Sequence, residues 1–358
     1  MHMADALLSP AVGGAMCVVS AGTIAYCSSK VRRDIDDSKV PLMGVLGAFI
    51  FAAQMINFTI PVTGSSGHLG GGLILTILLG PYAAFLTIAS VLVVQALFFA
   101  DGGLLALGCN IFNLGFFPSF IAYPFIYKKI IGRAPSTAKI SVASVLAAIV
   151  GLQMGAFGVV LETVFSGISS LPFSTFVAMM QPIHLAIGIV EGLVTAAVVS
   201  FVYKARPEIM QSSLEARPIC SRPVRNIALA FLAAAVLTGG IVSWFASTNP
   251  DGLEWAITKV TGQEELKGPE QGLHTALAAL QAKISFLPDY AFMKPAEAKK
   301  EALKPETTQA HQTVQPEQIP AAPKDSVGTS VAGLVGGTIT LGLALLIGYI
   351  LKRRNHMA

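Results

Sequence analysis

The chain has 358 residues, of which 53% are hydrophobic and 12% charged, with a formal net charge of +4. Soluble domains carry about 25% charged residues, so the composition excludes an ordinary soluble domain, a disordered or fibrous chain and a nucleic-acid-binding protein. It leaves an all-α, polytopic membrane protein.

A hydrocarbon core about 30 Å thick needs roughly 20 apolar residues per helix. In chain order, apolar segments are predicted at 8–29, 41–60, 68–80, 82–100, 104–127, 138–165, 177–203, 226–246 and 327–351. The third is short and ends at Pro81. With the fourth it reads either as two helices or as one broken helix that starts irregularly at Gly70-Gly71-Gly72. Residues 1–203 are read as a seven-helix transmembrane bundle, 204–225 as a cytoplasmic linker bearing Pro and Arg, and 226–358 as a two-helix transmembrane hairpin. Within the hairpin, Asn249-Pro-Asp-Gly-Leu-Glu-Trp and Leu287-Pro-Asp-Tyr are turn signals, and 271–286 reads as an amphipathic helix. The segment 247–293 is thus expected to be structured. Residues 294–326, rich in Pro, Ala, Glu, Lys, Gln and Thr, are expected to be disordered.

Sixteen of the 24 Lys and Arg residues fall after the first, fifth and seventh segments or in the C-terminal tail. Basic loops stay cytoplasmic, which places the C-terminus inside the cell membrane and the N-terminus and segment 247–326 outside. A cleaved leader over 1–27 would need a basic start, and no Lys or Arg precedes Lys30. Cys17, Cys27, Cys109 and Cys220 imply packing rather than a disulfide framework.

Several polar residues interrupt the apolar segments: Gln54, Asn57, Gln95, Asn110, Asn113, Gln153, Glu162, His184 and Glu191. Such groups are costly in hydrocarbon. The amides read first as interhelical hydrogen-bonding groups. Glu162 and His184, toward the outer ends of their segments, are expected to reach an outward cavity, and the deeper Glu191 needs a partner or a proton. No HExxH helix, GxSxG elbow or GxxxxGK[ST] phosphate loop is present. ATP, if it drives this protein, must be bound by another chain.

The sharpest feature is Met1-His2. A free amine, the His2 amide nitrogen and the His2 imidazole Nδ1 close two fused rings around one ion, and planar nitrogen ligation suits Ni(II) or Cu(II). His68, which ends the loop Pro61-Val-Thr-Gly-Ser-Ser-Gly-His, is the natural fourth ligand, and the glycines beside it permit close backbone approach. Ser66, Asn110 and His184 are candidates for the groups around these ligands. The hairpin is expected to supply none. Since ligands must be deprotonated and imidazole titrates near 6.5, affinity is expected to fall below about pH 6.5.

Met1-His-Met-Ala-Asp-Ala-Leu-Leu-Ser-Pro, Gly64-Ser-Ser-Gly-His-Leu-Gly-Gly-Gly and Phe98-Phe-Ala-Asp-Gly-Gly resemble the substrate-binding M component (CbiM/NikM) of nickel/cobalt energy-coupling-factor transporters. Pro250-Asp-Gly-Leu-Glu and the hairpin resemble the small N component, here fused. The resemblance covers nearly the whole sequence. It implies a non-enzymatic subunit that captures Ni(II), or alternatively Co(II), outside the cell, with His2 and His68 at the family's metal-binding positions. It also implies two partners, a transmembrane coupling component and a cytoplasmic ATPase. The small residues Gly44, Ala48 and Ala52 are candidates for a coupling face. Rival readings are a proton-driven metal permease relaying through Glu191 and His184, and an intramembrane metalloenzyme with Glu162 or Glu191 as base. A planar four-nitrogen site opposes the enzyme, because catalytic metals keep a position open.

Overall fold

The computed structural model describes residues 2–34, 38–215, 217, 224–263, 266, 268–269, 271–292 and 326–355. After a short 3-10 turn at Asp5–Leu7 come α1 (Pro10–Asp34) and α2 (Lys39–Gln54). A small antiparallel ribbon follows, β1 (Phe58–Ile60) on β2 (Ser65–Gly67), with Thr59 opposite Ser66. Next are α3 (Gly72–Leu79), α4 (Pro81–Phe98) and α5 (Leu107–Ile111). Helix α5 runs into wide π-helical turns at Phe112–Tyr127 and then α6 (Lys128–Ile131). Pro118 and Pro124 lie inside this stretch, where each removes a ladder donor and crowds the preceding turn. Helices α7 (Thr137–Ser166) and α8 (Phe173–Ala205) form the longest antiparallel pair. The chain then continues through α9 (Pro207–Glu215), α10 (Arg225–Gly240), α11 (Gly252–Thr261), α12 (Leu273–Ile284) and α13 (Ser326–Asn355).

Among the described residues, six helical stretches are long and apolar enough to cross a membrane: Pro10–Arg33, Pro81–Phe98, Leu107–Ile131, Thr137–Ser166, Phe173–Ala205 and Ser326–Arg353. Helices α2 and α10 are shorter apolar helices. The remaining apolar segment, the third, is a half-helix. The eight residues of α3 rise about 12 Å at 1.5 Å each, too little to cross, and all are buried. The two-helix reading of residues 68–100 is the one the fold adopts. Gly80 turns the chain at φ +81°, ψ 161°, and Pro81 opens α4, where its missing N–H costs nothing.

Part of the expected linker is helix. Helix α8 extends to Ala205, and α9 tucks Ile209 and Met210 into the bundle; flanking prolines and arginines hid this amphipathic turn. Cys220 and residues 294–325 of the segment expected to be disordered lie outside the described residues.

The hairpin helices pack on α2 through small residues. A Cβ at Gly333 would stand 2.5 Å from the Gly239 carbonyl oxygen, so α10 and α13 meet backbone to backbone. A Cβ at Gly44 would meet Leu345 at 2.7 Å, and Gly47 lies against Thr340 and Ala344. This corrects the expected coupling face. Gly44, Ala48 and Ala52 are buried, and α13 of the same chain occupies the Gly44 side, because close helix approach is what small residues permit.

Candidate metal centre

The N-terminal tail is clamped along its backbone. Met3 donates its N–H to Asn110 Oδ1 (2.8 Å), while Asn110 Nδ2 and the Gly103 N–H both donate to the Met3 carbonyl (3.3 and 2.9 Å). Asp5 Oδ1 accepts from the amides of Leu105 and Ala106 at 2.8 and 3.0 Å. A Cβ on Gly103 would sit 1.8 Å from Asp5 Oδ1, so only glycine admits the tail here. Met3, Leu7 and Leu8 are fully buried and anchor it further.

Below His68 the backbone runs irregularly through Gly70 and Gly71 into α3. Irregular backbone at membrane depth must be satisfied by protein, and two side chains do this. Glu191 accepts the Gly70 N–H on Oε2 (2.9 Å) and the Gly71 N–H on Oε1 (3.0 Å). Gln54 Nε2 donates to the Gly70 carbonyl at 2.8 Å. Gly71 adopts φ +75°, a left-handed turn that favours glycine. Glu191's need for a partner is thus met by two amides of the loop that carries His68.

The tail and the loop bring His2 and His68 together. Their rings stack with centroids 4.9 Å apart and planes 13° apart. His68 Nδ1 is 3.1 Å from the Leu69 carbonyl, an arrangement that puts the ring proton on Nδ1 and leaves Nε2 as the nitrogen with the lone pair. That Nε2 faces Asp251 Oδ2 at 3.7 Å, and His2 Nδ1 faces Asp101 Oδ1 at 3.3 Å. The fused chelate foreseen from the sequence needs His2 Nδ1 turned toward its own backbone, so forming it requires the ring to rotate away from Asp101. Met1 lies outside the described residues. Among the described residues, no three His, Cys, Asp or Glu side chains gather to hold a metal ion.

Burial sets the electrostatics. It pushes the His2 ring below its ordinary pKa, against the opposing pull of Asp101. His68, in the loop ahead of α3, is driven well below the ordinary value by the same cause. Burial would raise Asp251, but the positive charge of the chain's amino terminus, then His68 and a backbone donor, hold it below the usual carboxylate range. Its Oδ1 accepts from Leu253 and Glu254 amides at 2.8 and 3.0 Å, and Glu254 returns the bond to the Asp251 N–H, a capping box that starts α11.

The segment 247–292, expected from the sequence to lie outside and to supply no ligand, closes over this arrangement. Ser66 donates its N–H to the Pro250 carbonyl (2.8 Å) and its hydroxyl to the Asn249 carbonyl (2.7 Å), so it ties β2 to the segment rather than facing the rings. Trp255 Nε1 donates to Thr63 O, and His274 Nε2 lies 2.8 Å from Leu8 O. Tyr290 donates its hydroxyl to Asp101 Oδ2. Asp101 and Asp251 both stood inside runs singled out as motifs. Their acidity was visible, but not their convergence on the two rings.

The other polar candidates divide. Asn110 holds the tail, as above. His184 Nδ1 is 2.8 Å from the Met180 carbonyl, and its Nε2 is buried with no hydrogen-bond partner. It lines a cavity of about 10 Å³ with His68, Asp251 and Gly252. Glu162 faces inward and accepts from Asn113 Nδ2 at 2.7 Å, so the outward cavity expected for it is not formed. Gln153 donates across to the Gln181 carbonyl, joining α7 to α8. Gln95, fully buried on α4, lies beside the His2 ring and the Tyr290 hydroxyl.

Residues 2–209 match the family described as cobalt uptake substrate-specific transmembrane region, and residues 225–353 match the PDGLE domain. A relative in Archaeoglobus fulgidus, assigned by name to fused nickel transport proteins, is 31% identical over 363 residues and covers 100% of both chains. The fused nickel transport protein NikMN of Rhodobacter capsulatus is 30% identical over 320 residues, covering 81% of this chain and 88% of its own. A crystal structure titled as a transition metal transporter superposes with a TM-score of 0.52 at 29% identity, covering 61% of this chain and 100% of that one.

Proposed function

The chain belongs to the cobalt-uptake substrate-specific transmembrane family, continued by a PDGLE domain, and from that premise we propose that it is the substrate-binding subunit of an energy-coupling-factor importer. Its cargo is Ni(II), with Co(II) the alternative. The Met1 amine, the His2 amide and ring, and His68 bind it on the outer face of the cell membrane. The observation that carries this reading is the meeting of His2 and His68, 66 positions apart in sequence, at 4.9 Å between ring centroids. Two supports are independent of the rings. The tail is pinned by Asn110 and Gly103, and the His68 loop by Glu191 and Gln54.

A planar nitrogen set favours Ni(II) over tetrahedral Zn(II). Cargo binding in this reading turns the His2 ring from Asp101 toward the chelate, while the Leu69 carbonyl keeps His68 Nε2 directed at the ion. The chain's sequence has no GxxxxGK[ST] loop, so a separate ATPase and a transmembrane coupling protein supply the energy.

Nickel titration of the purified chain, followed by the d–d absorption of low-spin planar Ni(II), tests the site. His2→Ala is expected to abolish the band and His68→Ala to weaken binding. One residue added before Met1 is expected to lower affinity at least about a hundredfold, by the loss of two or more kcal/mol of ligation, with the fold intact by circular dichroism. Wild-type affinity in His2→Ala or in the extended chain overturns the site. Uptake that persists without ATP but collapses with the proton gradient overturns the importer.

A further inference from the structure

At the end of the bundle opposite the two histidines, a cavity of about 350 Å³ opens between the start of α2, the α3–α4 turn, the π-helical stretch and α9. Its lining carries Lys39, Lys128 and Arg217, with no carboxylate among the described lining residues. Arg217 also pairs with Glu215 at 3.1 Å. The interior is mainly apolar, with hydroxyls from Ser119, Tyr123 and Ser213. A second cavity of about 320 Å³, a groove lined by Val19, Gly22, Thr23, Tyr26, Phe116 and Phe120, shares Phe120 with the first. Between the two, Tyr26 packs edge-on against Tyr82, with ring centroids 5.8 Å apart. Helix α1 turns its apolar side chains outward along this groove, with Val18 73% and Tyr26 53% exposed.

We propose that these neighbouring cavities form a binding site for one anionic phospholipid. The phosphate lies among Lys39, Lys128 and Arg217, and an acyl chain lies in the groove between α1 and the π-helical stretch. Three features of the two cavities point to this occupant. The rim is cationic while the floor is apolar, which matches an amphiphile and not a free ion. The groove lies on the bilayer-facing side of α1, so an acyl chain reaches it from the membrane without crossing water. Tyr26, Tyr82, Tyr123 and Tyr127 gather at the same end, and Lys128 stands over the Tyr123 ring at 5.8 Å. Tyrosine and lysine concentrate at the headgroup level of membrane proteins. Neither cavity touches the histidine site, so this inference stands or falls apart from the cargo.

The test is native mass spectrometry of the full chain in detergent with phosphatidylglycerol or phosphatidylcholine, alone or with excess inorganic phosphate. Retention of one phosphatidylglycerol per chain is expected, with phosphatidylcholine held about tenfold less and phosphate failing to displace the lipid. Lys39→Gln with Lys128→Gln is expected to lower retention by about thirtyfold, on the scale of the attraction of two basic residues to an anionic surface. Gly22→Leu fills the groove, since nothing lies within 4 Å of a Cβ there. It is expected to lower retention while the thermal midpoint in lipid-free detergent stays at the wild-type value. Equal retention of the two lipids, displacement by phosphate, or wild-type retention in both variants overturns the proposal.

Discussion

Around His2 and His68 the backbone is irregular, and single side chains fix it. Glu191 takes two amides, Gln54 one carbonyl, Asn110 and Gly103 the Met3 peptide, and Asp5 two amides of the 105–106 turn. Along the seam of α2 with α13 the backbone is regular helix and hydrogen-bonds within itself. There Gly44, Gly47 and Gly336 admit Leu345, Thr340 and Phe51, and the seam is held by many small apolar contacts. The difference teaches where precision comes from in a membrane protein. A site made of backbone and ring nitrogens needs polar clamps, each individually expensive to remove. A helix seam spreads its energy over contacts of about 0.1–0.2 kcal/mol per atom pair and forgives a single change.

That contrast is sharpest at Glu191. Glu191→Gln keeps one carbonyl acceptor for two N–H groups and adds an unpaired amide, and a buried unmet group costs about 1–3 kcal/mol. Nickel affinity is expected to fall about ten- to hundredfold, by calorimetry, with helicity unchanged. An affinity equal to wild type would show that the Gly70–Gly71 clamp does not set the position of His68.

Asp251→Ala is expected to come next. It removes the cap of α11, worth about 1 kcal/mol, and the carboxylate facing His68, so a loss of about fivefold in nickel affinity is expected. No change in affinity on titration would mean that the PDGLE segment covers the site without shaping it.

The pH dependence is subtler. Burial lowers the His68 ring, so in the folded protein it stays neutral to below the ordinary 6.5. The sequence-based limit of about pH 6.5 for both rings therefore moves to lower pH. The factor separating wild type from His68→Ala in nickel affinity is expected to hold from pH 8 to 6.5 and to shrink only below. The unfolded ring takes up its proton first, so the stability contributed by the buried neutral ring is full above 6.5 and declines as pH falls toward the folded value. A factor that halves at pH 6.5 would place His68 in water.

The smallest effect is expected in the seam. Gly44→Ala meets Leu345 Cγ at 2.7 Å, so Leu345 must give way, at about 1–3 kcal/mol of stability. Nickel affinity is expected within about twofold of wild type. A loss as large as that of Glu191→Gln would erase the distinction between clamp and seam.

The sequence by itself determined the apolar helices, because the bilayer imposes a length and a composition that hydropathy reads directly. Eight of the nine apolar segments are helices of useful crossing length or nearly so, and the ninth, α3, was already marked by its shortness and Pro81. It also singled out His2 and the glycine-flanked His68, because each is legible within a few residues. The tertiary structure alone decided the rest. Glu191 meets Gly70 across 121 positions and Gly71 across 120, Ser66 meets Asn249 across 183, and Tyr290 meets Asp101 across 189. Gly44 carries the same small-residue signal whether its partner is another protein or α13. Contacts between residues so far apart are set by how the helices pack and how the loops fold back, and no local pattern of residues encodes that.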